Sequence, residues 1–177
     1  NCARPLTCHG FSGDSRYSST RAVPGRSWTR STGSVTQRDG PRQPAEVFIS
    51  HADRDRSQVD RLSEELTRHG IAHWYSRREL VGAQQWHDEI GAALGRCDWF
   101  VLVLSPSAAD STWVKRELLF ALNEQRFADR IIPVLLKDCD ANRISSTLSQ
   151  FQRVDFRSEW TDGMRDLLRV WGLGYRS

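Results

Sequence analysis

The run Trp99–Leu104 (WFVLVL) constrains the fold more than any other segment of the chain. Unbroken rather than alternating apolarity indicates a strand that is buried on both faces, as in the centre of a parallel sheet. Short apolar segments and amphipathic segments alternate on both sides of this run, from Ala45 onward. The chain has 177 residues, which is enough for one domain with a real core. Together these features predict an α/β domain.

Five strands and four helices follow from the pattern of apolar residues in this part of the chain. The strands are predicted at Glu46–Ser50, Ile71–Tyr75, Trp99–Leu104, Arg130–Leu136 and Phe151–Phe156. The helices are predicted at Asp55–His69, Trp86–Gly95, Thr112–Gln125 and Glu159–Trp171. Pro133 has no N–H to donate, which places the fourth strand nearer an edge or at a bulge. The alternation predicts a flavodoxin-like open parallel five-stranded sheet of order 2-1-3-4-5 with helices on both faces.

The composition changes near Pro44. Residues 1–44 are rich in Ser, Thr, Gly and Arg and poor in large apolar side chains, which predicts a disordered or weakly ordered arm before a domain at 45–177. A linker, a transit peptide and a basic arm that contacts nucleic acid or a partner all fit this composition. The formal charge of the chain is only +3, so nucleic acid is not expected as a partner of the domain itself.

Neither a membrane nor a metal is expected as a partner. No apolar run approaches the roughly 20 residues that a membrane-spanning helix needs. The four cysteines lack the spacing of a zinc site, and free thiols suit a reducing compartment. We therefore expect a cytoplasmic protein without a bound cofactor.

The carboxyl ends of the first three strands should form the ligand-binding rim, because open α/β sheets bind ligands there. Phosphate-binding glycine loops and the G-x-S-x-G nucleophile motif are absent from the sequence. The candidate rim residues are Ser50, His51 and Asp53 after the first strand, and Ser76, Arg77 and Arg78 after the second. For a single rim histidine such as His51, a structural hydrogen bond and a substrate contact are both open.

Trp113 and Glu117 lie four residues apart near the start of the helix that follows the third strand. Residues at this spacing share a helix face, so an indole ring and a carboxylate project together close to the rim. A carboxylate can bind a ribose diol and stabilise an oxocarbenium-like transition state. The structural alternative is a tryptophan packed under the sheet edge and a glutamate paired with Arg116 or Lys115.

Several segments, in the same order and at the same spacings, make residues 45–172 resemble a TIR domain of the bacterial kind. These segments are EVFISH at Glu46–His51, HGI at His69–Ile71, RELVG at Arg78–Gly82, Trp86, FVLVLSPS at Phe100–Ser107, STWVKREL at Ser111–Leu118, and IIPV at Ile131–Val134. Each segment alone is weak, but together they are specific.

The resemblance implies an NAD glycohydrolase that releases nicotinamide and forms ADP-ribose or a cyclic isomer. Glu117 falls on the catalytic glutamate of the family's W-x-x-x-E pattern, and Trp113 on its tryptophan. The resemblance places the six rim residues around NAD, which is the substrate and not a cofactor. It also implies a homo-oligomer or filament in which the loop with Leu80, Val81 and Gly82 completes a neighbour's site. Activation by an upstream sensor, in immune or anti-phage signalling, would follow.

Two other functions remain open at this point. Some TIR domains are non-catalytic scaffolds that bind other TIR domains, and a nucleoside-type glycosyl transferase of similar fold would cleave free nucleosides. Two departures from the family bear on substrate contacts and assembly: Ser76 stands where an acidic residue is common, and the loop around Val81 and Gly82 is short.

Overall fold

The structure is a computed structural model that describes residues 43–75 and 83–176, with only the backbone described for 83–87. The predicted arm at 1–44 therefore lies almost entirely outside the described residues. The strands of the domain are β1 (Val47–Ser50), β2 (His73–Tyr75), β3 (Trp99–Leu104), β4 (Ile131–Leu135) and β5 (Val154–Asp155). The helices are α1 (Arg56–Arg68), α2 (Ala83–Arg96), α3 (Pro106–Asp110), α4 (Thr112–Asn123) and α5 (Trp160–Val170).

The sheet confirms the predicted topology. All neighbouring strands pair in parallel, in the order β2-β1-β3-β4-β5. Every residue of β3 is buried, because strands flank it on both sides and helices cover both faces. Ser50 at the end of β1 lies beside Leu102 of β3, so the carboxyl ends of these central strands meet at one edge.

Helix α1 shows how local sequence determines an element. Val59, Leu62 and Leu66 are buried against the sheet, as the i, i+3, i+7 spacing predicts. The helix ends before Gly70, whose φ of 72° lies in the left-handed region that glycine tolerates. The Ile71 amide then donates to the Leu66 carbonyl at 2.9 Å, which turns the chain directly into β2.

Helices pack on both faces of the sheet, which divides the core into two clusters. One cluster joins residues of α2 and α4, including Ile90 and Leu118, to Phe48 and Phe100 of the sheet. The other joins residues of α1 and α5, including Leu62 and Leu167, to the opposite face of the sheet. Successive residues along β1, and likewise along β3, therefore belong to different clusters, because side chains alternate between the two faces of a sheet.

Pro133 lies in the second strand from the edge, as predicted, and the pairing of β4 with β3 runs through it without a bulge. The Leu136 amide donates to the Leu104 carbonyl of β3. Because amides alternate along a strand, the position of the missing Pro133 N–H faces the β5 side. The strand β5 pairs only with Val134 and Leu135, so Pro133 deprives no ladder of a donor there.

Several boundaries differ from the sequence prediction, and among them β2 begins at His73 rather than Ile71 and α2 at Ala83 rather than Trp86. The fifth strand was expected at Phe151–Phe156, but only Val154–Asp155 pairs with β4, and a 3₁₀ helix at Ser146–Gln150 precedes it. Pro106 lies between the third predicted strand and the helix predicted from Thr112, where no further helix was expected. It instead begins α3, since proline suits the first position of a helix.

Candidate active site

Two serine caps place α4 immediately beyond the carboxyl end of β3. The Ser105 hydroxyl accepts from the Ala108 amide at 3.0 Å and caps α3. The Ser111 hydroxyl accepts from the Val114 amide at 3.3 Å and caps α4. Serine is a preferred capping residue because its side chain satisfies an amide that the first turn leaves free. The short α3 thus carries the chain from the strand end to the first turn of α4.

Glu117 is buried at this edge, with 4% of its surface exposed. The hydroxyl of Ser50, itself buried at the end of β1, donates to Glu117 Oε2 at 2.5 Å. The indole N–H of Trp113 donates to Oε1. Within the described residues, these bonds replace the pairing with Arg116 or Lys115 that a purely structural role predicts. The geometry therefore joins Trp113, Glu117 and Ser50 in one cluster.

Burial raises the pKa of Glu117 to about 7, while the hydrogen bonds from Ser50 and Trp113 pull the pKa downward. The effect of burial is larger because both donors are neutral, so neither provides a positive charge to balance the ionised carboxylate in the core. A carboxyl with a pKa near 7 is present in both protonation states at neutral pH. Shifts of this kind occur at catalytic sites, although structural networks also produce them.

His51 and Asp53 lie on the loop after β1. The imidazole of His51 is half-buried, and burial lowers the pKa of His51, opposed by its hydrogen bond to the Ile49 backbone. Its ring stands edge-on to Tyr75, with centroids 5.7 Å apart. Asp53 is exposed in the 3₁₀ turn Asp53–Asp55. The structure places both residues at the rim, and their roles as substrate contacts remain predictions.

The other predicted site residues lie outside the described residues. These are Ser76, Arg77 and Arg78, predicted to contact substrate, and Leu80, Val81 and Gly82, predicted to mediate assembly. Tyr75 is the last described residue before them, and its hydroxyl donates to Asp60 Oδ1 at 2.7 Å.

The sequence reasoning did not single out a second polar cluster at the same edge. Asp55 is fully buried and accepts a hydrogen bond from the Ser105 hydroxyl. Lys137 Nζ lies 3.6 Å from Asp55 Oδ1, which is an ion-pair distance but too long for a hydrogen bond. The signal was present, since Ser105 directly follows the third predicted strand and Lys137 the fourth.

A groove of about 1010 Å³ lies elsewhere, where β5 leaves the start of β4 uncovered. Its lining comes from the amino ends of β3 and β4 and from the ends of α4 and α5, including Trp99, Ile131 and Val170. Glu117 does not line it, so volume alone does not identify the site.

Two features are absent from residues 43–75 and 83–176. Three or more His, Cys, Asp or Glu side chains placed to hold a metal ion were not found in these ranges. A helix with the length and apolarity to cross a membrane was not found in them either.

The chain is similar in structure to one solved TIR domain and in sequence to two curated bacterial proteins. The TIR domain of the Toll-related receptor TRR-2 from Hydra magnipapillata superposes with a TM-score of 0.59 at 22% identity, over 71% of this chain and 97% of that one. The 2′ cyclic ADP-D-ribose synthase BtTIR of Bacteroides thetaiotaomicron is 30% identical over 79 residues, which are 44% of this chain and 28% of that protein. The NAD(+) hydrolase TcpC of Escherichia coli is 28% identical over 102 residues, 56% and 33% of the two chains.

The chain therefore spans about a third or less of the length of these two curated relatives. The sequence model of the TIR domain matches residues 47–168, the range that contains all five strands and the Glu117 cluster. The chain belongs to the TIR-domain family.

Proposed function

We propose that this TIR domain cleaves the bond between nicotinamide and ribose in NAD, with Glu117 as the catalytic carboxylate. The observation that carries the proposal is the burial of Glu117 at the carboxyl edge of the sheet, with hydrogen bonds from Ser50 and Trp113. Ligands of open parallel sheets bind outside this edge, where the strand order reverses between β1 and β3. The names of the relatives BtTIR and TcpC, a cyclic ADP-ribose synthase and an NAD hydrolase, support the same chemistry.

The proposed mechanism needs a single carboxylate. The nicotinamide of NAD is already cationic, so it departs as a neutral ring without protonation by a general acid. Glu117 accepts hydrogen bonds from the ribose hydroxyls and stabilises the positive charge that develops on the sugar. Trp113 presents an aromatic face beside the departing ring. Water then attacks the sugar to give ADP-ribose, or a nucleophile of the same molecule attacks to give a cyclic isomer.

The ionised form of Glu117 performs this role, because a protonated carboxyl neither accepts both ribose bonds nor stabilises a cation. The pKa of Glu117 is raised to about 7 by burial. The ionised fraction, and with it NAD turnover, should therefore rise as the pH increases through about 7. Ser50 holds one oxygen in place from the buried side, which leaves the remaining lone pairs of the carboxylate for substrate.

Self-assembly is part of the proposal. Glu117 is only 4% exposed in the single chain. Contact between the ribose of NAD and the Glu117 carboxylate therefore requires a rearrangement that exposes the carboxylate. Assembly through the loop with Leu80, Val81 and Gly82 is proposed to supply it, and an upstream sensor to trigger it. A cytoplasmic location and a role in immune or anti-phage signalling come from the family resemblance and belong to the same proposal.

Chromatography of NAD and its products, at a protein concentration high enough for assembly, tests the function. We expect the wild-type chain to release nicotinamide, and Glu117→Gln to lower turnover at least about 100-fold. Glutamine keeps the shape of the side chain, and the Ser50 hydroxyl can accept from its amide. Glu64→Gln on the exposed side of α1 is the matched control and should retain full activity.

The same measurement separates the alternatives. A non-catalytic scaffold would consume no NAD but would self-associate, and Gly82 substitutions would abolish that association. A nucleoside glycosyl transferase would cleave free nucleosides and leave NAD intact. Equal NAD turnover by Glu117→Gln and the wild-type chain would overturn the assignment of Glu117.

A further inference from the structure

Asp55, Ser105 and Lys137 join three neighbouring strand ends at the edge where Glu117 lies. Asp55 follows β1, Ser105 follows β3 and Lys137 lies just after β4. The Ser105 hydroxyl donates to Asp55 Oδ2, and Lys137 Nζ lies 3.6 Å from Oδ1. Asp55 is fully buried, whereas half of the Lys137 side chain (51%) is exposed. The cluster therefore carries a buried negative charge and a compensating cation near the surface.

Ser105 links Asp55 to the first turn of α4. Its hydroxyl donates to Asp55 and accepts from the Ala108 amide, which fixes the start of α3. Ser111 ends α3, where its backbone N–H donates a hydrogen bond to the Ala108 carbonyl at 3.1 Å, and its side chain caps α4. A shift of Ser105 is thus transmitted through one short helix to Trp113 and Glu117.

The loop after β1 leads into a 3₁₀ turn that ends at Asp55, whose buried side chain anchors that end. The Asp55 amide donates to the Ala52 carbonyl at 2.9 Å, which closes the 3₁₀ turn Asp53–Asp55. His51 and Asp53, the two rim residues predicted to contact substrate, lie within four positions of it in the sequence. Asp55 therefore belongs to both walls of the predicted site, the loop after β1 and the α3–α4 corner.

A buried carboxylate is a costly way merely to fill this space. Asp55 Oδ1 has no hydrogen-bond donor among the described residues, and well-packed apolar side chains often replace buried ion pairs without loss of stability. An apolar side chain cannot form a directional hydrogen bond with the Ser105 hydroxyl. The carboxylate orients the Ser105 hydroxyl, and that orientation fixes the position of the α3 cap.

We propose that Asp55, Ser105 and Lys137 form a positioning cluster that holds the loop with His51 and Asp53 in register with the corner that carries Trp113 and Glu117. The inference rests on the proposed function of that site. Asp55 itself is a positioning residue and contacts no substrate. Lys137 neutralises it from the exposed side, and the Lys137 amide donates to the Leu104 carbonyl at 3.4 Å, which ties β4 to the same corner.

The first test measures kcat and KM for NAD in Asp55→Asn and Ser105→Ala, at a temperature where circular dichroism shows every variant folded. We expect kcat to fall about tenfold or more, because small misplacements of a catalytic group are expensive. Asp162→Asn removes an exposed ion pair on α5 and should leave kcat unchanged. If Asp55→Asn does not fold, Lys137→Met replaces it, since its half-exposed side chain is tolerated, and kcat should fall about threefold.

The second test does not depend on turnover. The indole N–H resonance of Trp113, assigned by its loss in Trp113→Phe, reports the hydrogen bond to Glu117. We expect its solvent exchange to become at least tenfold faster in Asp55→Asn and Ser105→Ala, and to stay unchanged in Asp162→Asn.

The two measurements together decide the proposal. If the Asp55 and Ser105 variants only unfold at lower temperature, with kcat and indole exchange as in the wild type, the cluster is structural and the proposal is wrong. If the wild-type chain cleaves no NAD, the proposed function fails, and the indole exchange alone decides whether the cluster positions Trp113 and Glu117.

Discussion

Glu117 and Asp55 are two buried carboxyls at the same edge of one sheet, and their surroundings differ in one respect. Glu117 receives hydrogen bonds from a serine and an indole, both neutral. Asp55 receives one from a serine and has the Lys137 ammonium 3.6 Å away. A neutral environment raises the pKa of Glu117 to about 7 through burial. The Lys137 ammonium lies on the exposed side of Asp55, while the Ser105 hydroxyl contacts Asp55 from within the fold.

The difference in surroundings fits the two proposed roles, catalysis for Glu117 and positioning for Asp55. A buried carboxylate without a neighbouring cation is stabilised by the positive charge that develops on the substrate in the transition state. A carboxyl that is already compensated has less to gain from substrate. Two acids at one sheet edge are thus proposed to have different roles, Glu117 on α4 as the reactive acid and Asp55 in the turn before α1 as the anchoring acid.

The largest expected effect is an opposite change in stability when each acid loses its charge. The pKa of Glu117 rises from 4.5 to about 7 in the fold, so ionisation there costs about 3 kcal/mol of folding free energy above pH 7. That cost is absent below about pH 4.5, where the side chain is protonated in both folded and unfolded states. Glu117→Gln should therefore be more stable than the wild type at pH 8, and this advantage should shrink by about 3 kcal/mol at pH 4.

Asp55→Asn should instead lower the free energy of unfolding by about 2 kcal/mol at pH 8, because a charge-assisted hydrogen bond is lost in the core. Urea titrations of both variants and the wild type at pH 4 and pH 8 measure the two changes. If both variants shifted stability in the same direction at pH 8, the contrast between the two acids would be wrong.

A medium effect is expected when Ser50, the donor that reaches Glu117 from β1, is removed. Its hydrogen bond lowers the pKa of Glu117, against the larger effect of burial. Ser50→Ala should therefore raise the pKa further and move the midpoint of the pH–turnover profile upward by about one unit, which corresponds to one hydrogen bond of about 1.4 kcal/mol.

The control for this shift is Ser145→Ala, which removes a serine that caps the 3₁₀ helix before β5 and should leave the midpoint in place. A direct role of Ser50 in substrate binding would appear differently, as a higher KM with an unchanged midpoint. An unchanged midpoint would show that Ser50 does not tune the acidity of Glu117.

The sequence predicted those features that depend on local pattern or on topology. Trp113 and Glu117 meet because they are four residues apart on a helix, and the strand order brings Ser50 to the same edge. The bond between Ser50 and Glu117 spans 67 positions, and topology indicates only that such residues share an edge. Which atoms then meet depends on the packing of α4 against β1, which no periodicity encodes.

The missed features have physical reasons too. Asp55 looks like an ordinary acidic residue at the start of a solvated helix, a common and favourable place for one. Its burial results from α3, which packs beside the 3₁₀ turn Asp53–Asp55. That helix has only five residues and begins at Pro106, just beyond the third strand, where the sequence predicted no helix. Once α3 is overlooked, nothing in the sequence indicates that Asp55 and Ser105 meet.

The smallest expected effect tests the exposed partner of the anchoring acid. Lys137 is half exposed and not within hydrogen-bond distance of Asp55, so water and salt screen most of their attraction. Lys137→Met should lower the free energy of unfolding by less than about 1 kcal/mol, and the loss should be smaller in about 0.5 M salt than in about 0.05 M salt. These concentrations lie on either side of about 0.1 M, where the Debye length is roughly 10 Å.

Asp162→Asn, which breaks an exposed pair on α5, gives the reference for a fully screened interaction. Urea titration at the two salt concentrations measures both variants. A loss in Lys137→Met no larger than in Asp162→Asn would mean that Asp55 resides in the core without help from the cation. The distinction between the two acids would then rest on hydrogen bonding alone, with Glu117 the better satisfied of the two.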